Sequence, residues 1–580
     1  MQELNYGRIS KMIDRHIRAA FLFLILFVPT SMQLQAQTSP ASFRNPVDFP
    51  IELAGSFAEL RGSHFHSGID IKTGGQIGRN VYAVADGFVS RIKVSPFGFG
   101  KALYIEHPNG YTSVYAHLSQ FSEPLAGYVK EMQYRNKSFA IDLYPTPHRF
   151  EVKKGEVVAK SGNSGSSSGP HLHFEIRKTA GQEPVNPQRL GIAVEDHSAP
   201  QMLELLLYGP SSFPQSYTLR KEETGYVLAN RDNILEVPAG RVAFGMRVID
   251  RMDKNSGKLG VYVSRLVAGK RTIFEWRGDQ FSFSESRYAN AHMDYALKKK
   301  EGKLVERLYK LPGDRLSMYS KLLNDGWLTV APGETIPIRI LVRDASGNES
   351  HLSFKMKGLA VRRKAQLRPK SQRMLPDEAS YFEAGDFQII IPEGALYDSI
   401  YFHFSIDSLQ HIQGGMSPLF RINELGVPLH KKAVINIRQS DFPESLKKRT
   451  VAVQVEEGES DYYTGKWSGS VFIFRTREFG NYYLSVDSTA PEIEKVLFPE
   501  TLRPGGRISL RIEDKKSDID KYNAYLDGRW WLMEYDYKKK RLTGIIPESL
   551  KAGEHVLHIH VSDKAGNQNE KIYQLKIKKQ

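Results

Sequence analysis

Ala102-Leu-Tyr-Ile-Glu-His-Pro-Asn-Gly-Tyr-Thr-Ser-Val-Tyr-Ala-His117 decides the fold of the N-terminal third of this chain. Two apolar and aromatic runs flank Pro108-Asn109-Gly110. Asn-Gly between alternating apolar runs is a strong hairpin signal, because both residues tolerate the positive φ of a tight β-turn. Working outward, Val81 to Ile92 reads as strand, turn and strand about Asp86-Gly87. Val152 to Lys160 continues the strands through a Lys154-Gly155 turn, the Gly/Ser stretch 161–169 is a loop, and Leu172 to Ile176 is another strand. Little within 51–190 has helical period. Residues 121–150 have no clear period and read as a long insertion, of the kind that is functional or disordered.

The chain has 580 residues, room for several domains, with 41% hydrophobic and 25% charged residues. Such a balance is ordinary for a soluble globular protein. Cysteine is absent, which excludes a disulfide scaffold, a thiolate metal site and a cysteine nucleophile. Any zinc must be held by nitrogen and oxygen. The formal net charge is +15. The basic residues form no dense run and no RNA-binding aromatic motif, so a cell-envelope surface, and not nucleic acid, is the expected attraction.

Lys11, Arg15 and Arg18 precede the apolar run Ala19 to Val28, and small and polar residues follow up to Ala36. That run is about half the ~20 residues a membrane-crossing helix needs. Residues 1–36 are therefore predicted to be a signal peptide, placing the protein in the periplasm, the cell envelope or outside the cell. No other segment reaches transmembrane length.

Beyond 190, Asp196-His-Ser-Ala-Pro200 is echoed by Asp487-Ser-Thr-Ala-Pro491, and Asp344-Ala-Ser-Gly-Asn348 by Asp563-Lys-Ala-Gly-Asn567. The echo predicts two related Ig-like β-sandwich modules, 196–357 and 487–578. A basic, Pro-containing linker over 358–378 and another β-rich module over 379–486 lie between them. The fold class expected is thus mainly β: an N-terminal antiparallel sheet domain over 51–190, followed by several sandwich modules.

The chemistry concentrates in five side chains: His66, Asp70, His117, His171 and His173. His66 and Asp70 are four residues apart across a glycine, so a turn entering a strand can aim both at one point. His171 and His173 face the same side of a strand. His117 ends the hairpin's return strand. Three such ligands leave a fourth zinc position for water, with two histidines left for proton transfer. There is no His-Glu-x-x-His, which excludes a helix-borne zincin site. With 17 histidines in the chain, each pair alone is weak, and their combination carries the weight.

The ordered motifs His66-Ser-Gly-Ile-Asp70, Tyr115-Ala-His117-Leu118, Gly162-Asn-Ser-Gly165 and Gly169-Pro-His171-Leu-His173-Phe-Glu175 resemble the lysostaphin/LytM-type zinc endopeptidases. The resemblance covers about 51–190. It implies a mostly antiparallel sheet with a groove, similar to a duplicated hybrid motif, and one Zn2+ held by His66, Asp70 and His173. It further implies a catalytic pair, His117 and His171, and hydrolysis of peptide bonds in peptidoglycan stems or cross-links. The stretch after His117 is longer than the family's and could line or cover the groove. The C-terminal modules would hold the protein to an envelope polymer or protein partner. Two other readings are a non-catalytic wall-binding scaffold that activates another hydrolase, and a protease for proteins outside the wall.

Overall fold

A computed structural model describes residues 43–209, 214–230, 232–253, 257–360, 371–407, 414–456 and 458–578. The predicted signal peptide and residues 361–370 of the predicted linker lie outside these residues. Among the described residues no helix is long and apolar enough to cross a membrane.

The N-terminal segment builds β1 (Leu53–Gly55), β2 (Ile69–Lys72), β3 (Asn80–Tyr82), β4 (Gly87–Val94), β5 (Lys101–Glu106), β6 (Tyr111–Leu118) and β7 (Gln120–Phe121). Helix α1 (Leu125–Asn136) follows, then β8 (Ile141–Leu143), β9 (Glu151–Val152), β10 (Val157–Lys160), β11 (His171–Lys178) and β12 (Pro184–Val185). The main sheet has the order β1-β2-β11-β6-β5-β4-β8, with β12 on β11 and β9 on β4; β3-β10-β7 form a second, small sheet. Pairing between successive neighbours of the main sheet is antiparallel. The hairpin read at Asn109-Gly110 is the β5–β6 connection, with Gly110 at φ 82°. One face of the sheet buries Ile69, Ile71, Leu172, Phe174, Ile176 and Tyr115 completely. At about 25 cal/mol per Å2 of apolar surface, each large side chain contributes roughly 2–3 kcal/mol.

The 121–150 stretch is more regular than its sequence suggests. Leu125, Val129 and Gln133 bury one narrow stripe of α1. With a polar residue as its third member, that stripe is too thin to register as helical period. β8 extends the sheet beyond β4, two strands removed from β6.

The remaining strands pack in three further assemblies. Strands between Gln201 and Leu359 share one 12-stranded sheet that turns on itself. Between Gln372 and Val486 the strands form two five-stranded sheets and one two-stranded pair, Gln372–Met374 with Ile400–Phe402, over a common core that includes Phe387, Ile435, Phe472 and Tyr482. The last assembly joins a four- and a five-stranded sheet over Ile508, Leu510, Trp531 and Leu557.

The first and last assemblies abut the N-terminal domain. Trp276, 2% exposed, stacks on Phe65, and Phe281 packs against Phe57 and Phe65. Ser286 Oγ accepts from Phe65 N at 3.1 Å. The stretch 276–330, irregular in sequence, thus supplies packing directly behind His66. Aromatics of the last assembly divide between packing and docking. Trp531 is buried, Tyr535 packs on Tyr522, Trp530 meets Tyr134 edge-on, and Tyr537 packs on Phe97.

Candidate metal centre and active site

Asp70 on β2 stands directly opposite His173 on β11, and His173 is in register with Ala116 on β6. Along β11 the apolar residues Leu172, Phe174 and Ile176 point into the core. Alternation therefore sets His171, His173, Glu175 and Arg177 together on the other face.

By the same alternation His117 belongs on the face of Tyr115, whose ring packs on Phe174 with centroids 5.4 Å apart. A register shift between β5 and β6 intervenes, and His117 takes a left-handed backbone, φ 57°. That conformation costs a non-glycine residue roughly 1–2 kcal/mol. It turns the ring across the strand, to 4.8 Å from His171 and 5.8 Å from His173. Gly162 permits the closure: a Cβ there would lie 2.6 Å from the His117 carbonyl oxygen.

Three donors converge. His66 Nε2 lies 3.0 Å from His173 Nδ1 and 3.1 Å from Asp70 Oδ1, and the latter two are 2.9 Å apart. Tetrahedral zinc, with bonds of about 2.0–2.1 Å, sets neighbouring donors about 3.3 Å apart. The set His66, Asp70 and His173 comes within a few tenths of an ångström of that and fits one zinc ion.

The surrounding hydrogen bonds assign each ring. His66 Nδ1 donates to the Ser56 carbonyl at 2.8 Å, which leaves Nε2 for the metal. His173 Nε2 donates to Glu175 Oε1 at 2.8 Å, which leaves Nδ1. His117 Nδ1 donates to Ser164 O and His171 Nδ1 to Gly169 O, both at 2.8 Å. These carbonyls can only accept, so Nδ1 carries hydrogen in both rings and Nε2 is the atom left to face away from that bond. His171 Nε2 lies 3.4 Å from Asp70 Oδ1.

A second set of residues holds the first. Arg61 donates to Asp70 Oδ2 at 2.8 Å. Glu175, fully buried, also accepts from Ser67 Oγ and from Arg177 Nε, each at 2.5 Å. Burial opposes the charge on Glu175, but Arg177 and His173 overcome it and hold the carboxyl down at about 2. Asp70 is held far below the carboxylate range, its desolvation outweighed by His66, His171 and His173. His173 also resists desolvation, and its bonds to Asp70 and Glu175 raise it to about 9. Burial, reinforced by His173 and His171, depresses His117 to about 3, so it is a neutral base.

The structure brings all five sequence-selected side chains to one site. Arg61, Glu175 and Arg177 were not singled out, although polar residues at every second position of an otherwise apolar strand signalled the last two. His64 and His148 are exposed. His107, which its place beside the turn suggests is exposed, is only 3% so. It is pinned between the Asp86 carbonyl and Ser113 Oγ at 2.8 Å each, under the ring of Phe43.

The last assembly reaches the rim. Lys538 Nζ donates to the Asn163 and Ser167 carbonyls, each at 2.7 Å, and Lys101 pairs with Glu534 at 3.1 Å. Ser167 Oγ is 3.1 Å from His171 Nδ1.

Residues 64–134 and 148–187 match the model of Peptidase family M23, and residues 371–487 that of a Zu5-like domain. The DD-carboxypeptidase/endopeptidase Mpg of Neisseria meningitidis serogroup B is 35% identical over 122 residues, 21% of this chain and 22% of that protein. The murein hydrolase activator NlpD of Salmonella dublin is 34% identical over 124 residues, 21% of this chain and 26% of that one. The solved catalytic domain of the M23 protein EnpA from Enterococcus faecalis is 26% identical, covering 25% of this chain and 95% of that one, with a TM-score of 0.19. This chain therefore spans about a fifth to a quarter of the length of the curated relatives it matches.

Proposed function

With residues 64–134 and 148–187 forming a peptidase domain of family M23, we propose that the protein is a zinc metalloendopeptidase that hydrolyses peptide bonds in the stems or cross-links of bacterial peptidoglycan. The convergence of His66, Asp70 and His173, with the Nε2 atoms of two further histidines facing them, carries this reading. Zinc bound there would polarise the scissile carbonyl and lower the pKa of a water. The protein's own groups do the rest. His117, neutral and anchored through Nδ1 to Ser164 O, takes the proton of the attacking water on Nε2. His171, anchored to Gly169 O, would with a proton on Nε2 hydrogen-bond the oxygen that gains charge, and the proton taken up by His117 passes to the leaving amine as the C–N bond breaks.

The complete donor set favours an enzyme over a scaffold that only activates another hydrolase. Mpg is by its name a DD-carboxypeptidase/endopeptidase and NlpD a murein hydrolase activator, and a net charge of +15 suits an anionic envelope. We place the protein in the periplasm or on the envelope accordingly, with the C-terminal modules holding it near an envelope polymer or protein. Wall sacculi incubated with the full chain should lose cross-links when zinc is present and keep them when it is chelated. Persistence of all cross-links under both conditions would remove the enzyme reading.

A further inference from the structure

Two clusters of three aspartates recur outside the zinc site: Asp196, Asp250 and Asp344 in the first assembly, and Asp487, Asp514 and Asp563 in the last. In each, one oxygen per carboxylate lies within 4.8 Å of the others. The two clusters occupy the same place in their modules. The first aspartate opens the Asp-x-x-Ala-Pro motif. The second follows the strand paired with the module's first strand: Gln201 pairs with Ile249 just before Asp250, and Glu492 pairs with Glu513 just before Asp514. The third opens the Asp-x-x-Gly-Asn turn. Asn348 Nδ2 ties the Asp196 carbonyl to Asp344 Oδ2 at 3.0 and 2.8 Å, and Asn567 Nδ2 ties the Asp487 carbonyl to Asp563 Oδ2 at 2.9 and 2.8 Å.

Among the described residues these carboxylates form no salt bridge with a lysine or arginine. Asp196, Asp250, Asp344 and Asp514 face other carboxylates, backbone N–H groups and an amide, with no lysine or arginine side chain among their partners. Asp250 and Asp487 are 3% and 0% exposed, and each keeps one buried oxygen without a hydrogen-bond partner among the described residues, Oδ1 in Asp250 and Oδ2 in Asp487. A buried carboxylate oxygen left in this way is costly unless a cation meets it. All-oxygen donors on loop ends suit Ca2+, which takes 6–8 oxygens at 2.3–2.6 Å; zinc prefers nitrogen and sulfur, and Mg2+ demands a stricter octahedron.

We propose that each aspartate cluster binds one Ca2+ ion, making the protein a two-calcium as well as a one-zinc protein. The first site has a consequence for the peptidase. It borders a pocket whose walls include Leu53, Ser56 and Phe57 of the N-terminal domain together with Gly260. Ser56 Oγ accepts from Gly260 N at 3.0 Å, while the Ser56 carbonyl accepts from His66 Nδ1. Calcium at Asp196, Asp250 and Asp344 would fix the segment that holds Ser56, and through it the orientation of a zinc ligand.

The test uses the zinc-loaded full chain, equilibrium dialysis with radioactive Ca2+, and the variants Asp250→Asn, Asp487→Asn and both together. The expected stoichiometry is two Ca2+ per wild-type chain, one for each single variant and none for the double variant, with bound zinc unchanged. Calcium should raise the melting temperature of the wild type and leave that of the double variant in place, while Mg2+ at equal concentration does much less. Asp→Asn is isosteric and removes like-charge repulsion, so without calcium each variant should melt at or above the wild type. A wild type that binds no calcium at millimolar concentration, or a double variant that keeps both ions, overturns the proposal. So does a calcium-free Asp250→Asn or Asp487→Asn variant that melts below wild type, because the aspartate would then serve the fold without an ion.

Discussion

Replacing Glu175 by glutamine tests whether the zinc site depends on a charge it does not itself coordinate. Glu175 is fully buried, accepts from His173 Nε2 at 2.8 Å and from Ser67 Oγ and Arg177 Nε at 2.5 Å each. Glutamine keeps an acceptor for His173 but loses the charge, and Arg177, 6% exposed, loses its counter-ion. Breaking a buried pair by removing one partner costs about 3–5 kcal/mol. The displacement of Glu175 from 4.5 to about 2 is worth about 3 kcal/mol at 1.36 kcal/mol per unit, a consistent magnitude. Because the folded pKa is depressed, this stability is complete above about pH 4.5 and is lost as pH falls toward 2. The gap between wild type and Glu175→Gln should therefore close in that acid window. A less basic His173 should also bind zinc about 10–100-fold more weakly. Urea unfolding of zinc-free protein at several pH values reads the first effect, and competition with a chromophoric chelator reads the second. Unchanged zinc affinity beside a full stability loss would reduce Glu175 to a packing role and refute the argument.

Other outcomes follow from the same geometry. His117→Ala should lower kcat by about 10^2–10^4, the usual worth of a general base, with zinc content intact by atomic absorption. Since burial holds His117 near 3, it stays neutral as pH falls below 6.5. The acid limb of kcat/KM should then follow loss of bound zinc, and a limb near 6.5 at full zinc occupancy would contradict this. Trp276→Ala, which empties the packing on Phe65 behind His66, should cost about 3–5 kcal/mol in urea unfolding; the segment 43–195 alone, stripped of Trp276 and Phe281, should be destabilised and bind zinc poorly. Lys538→Ala removes two bonds at 2.7 Å from the 163–167 loop; amide exchange there should accelerate about tenfold, the worth of one or two charge-assisted hydrogen bonds at a half-buried site, while zinc content holds.

How much of this was legible in the sequence differs by feature. The β5–β6 hairpin was, because Asn109-Gly110 is local chemistry. The metal ligands were legible through the ordered motifs that resemble the lysostaphin/LytM-type family; strand alternation, visible in Ile69-Asp-Ile71 and Leu172-His-Phe174, by itself puts Asp70, His171 and His173 on one face without dividing their roles. The position of His117 was not derivable from period: regular alternation puts it on the wrong face, and only a register shift and a left-handed backbone bring it to the site. Helix α1 was hidden by a stripe of three residues that includes Gln133. The docking of Trp276 on Phe65 was hidden because it joins positions more than 200 apart, and sequence pattern reports neighbours along the chain, not contacts across it. The echoed Asp-x-x-Ala-Pro and Asp-x-x-Gly-Asn motifs were visible as repeats, but Asp250 and Asp514, which complete the clusters, lie outside both motifs.

The most direct test of the account is mass spectrometry of the products from a defined cross-linked muropeptide dimer. Wild type with zinc should split one peptide bond, giving two fragments whose masses sum to that of the dimer plus one water. Asp70→Ala, which lacks one zinc ligand, and chelated wild type should leave the dimer whole. A dimer left intact by the zinc-loaded wild type, or cleaved equally by Asp70→Ala, would contradict the assignment of His66, Asp70 and His173 as a hydrolytic zinc site.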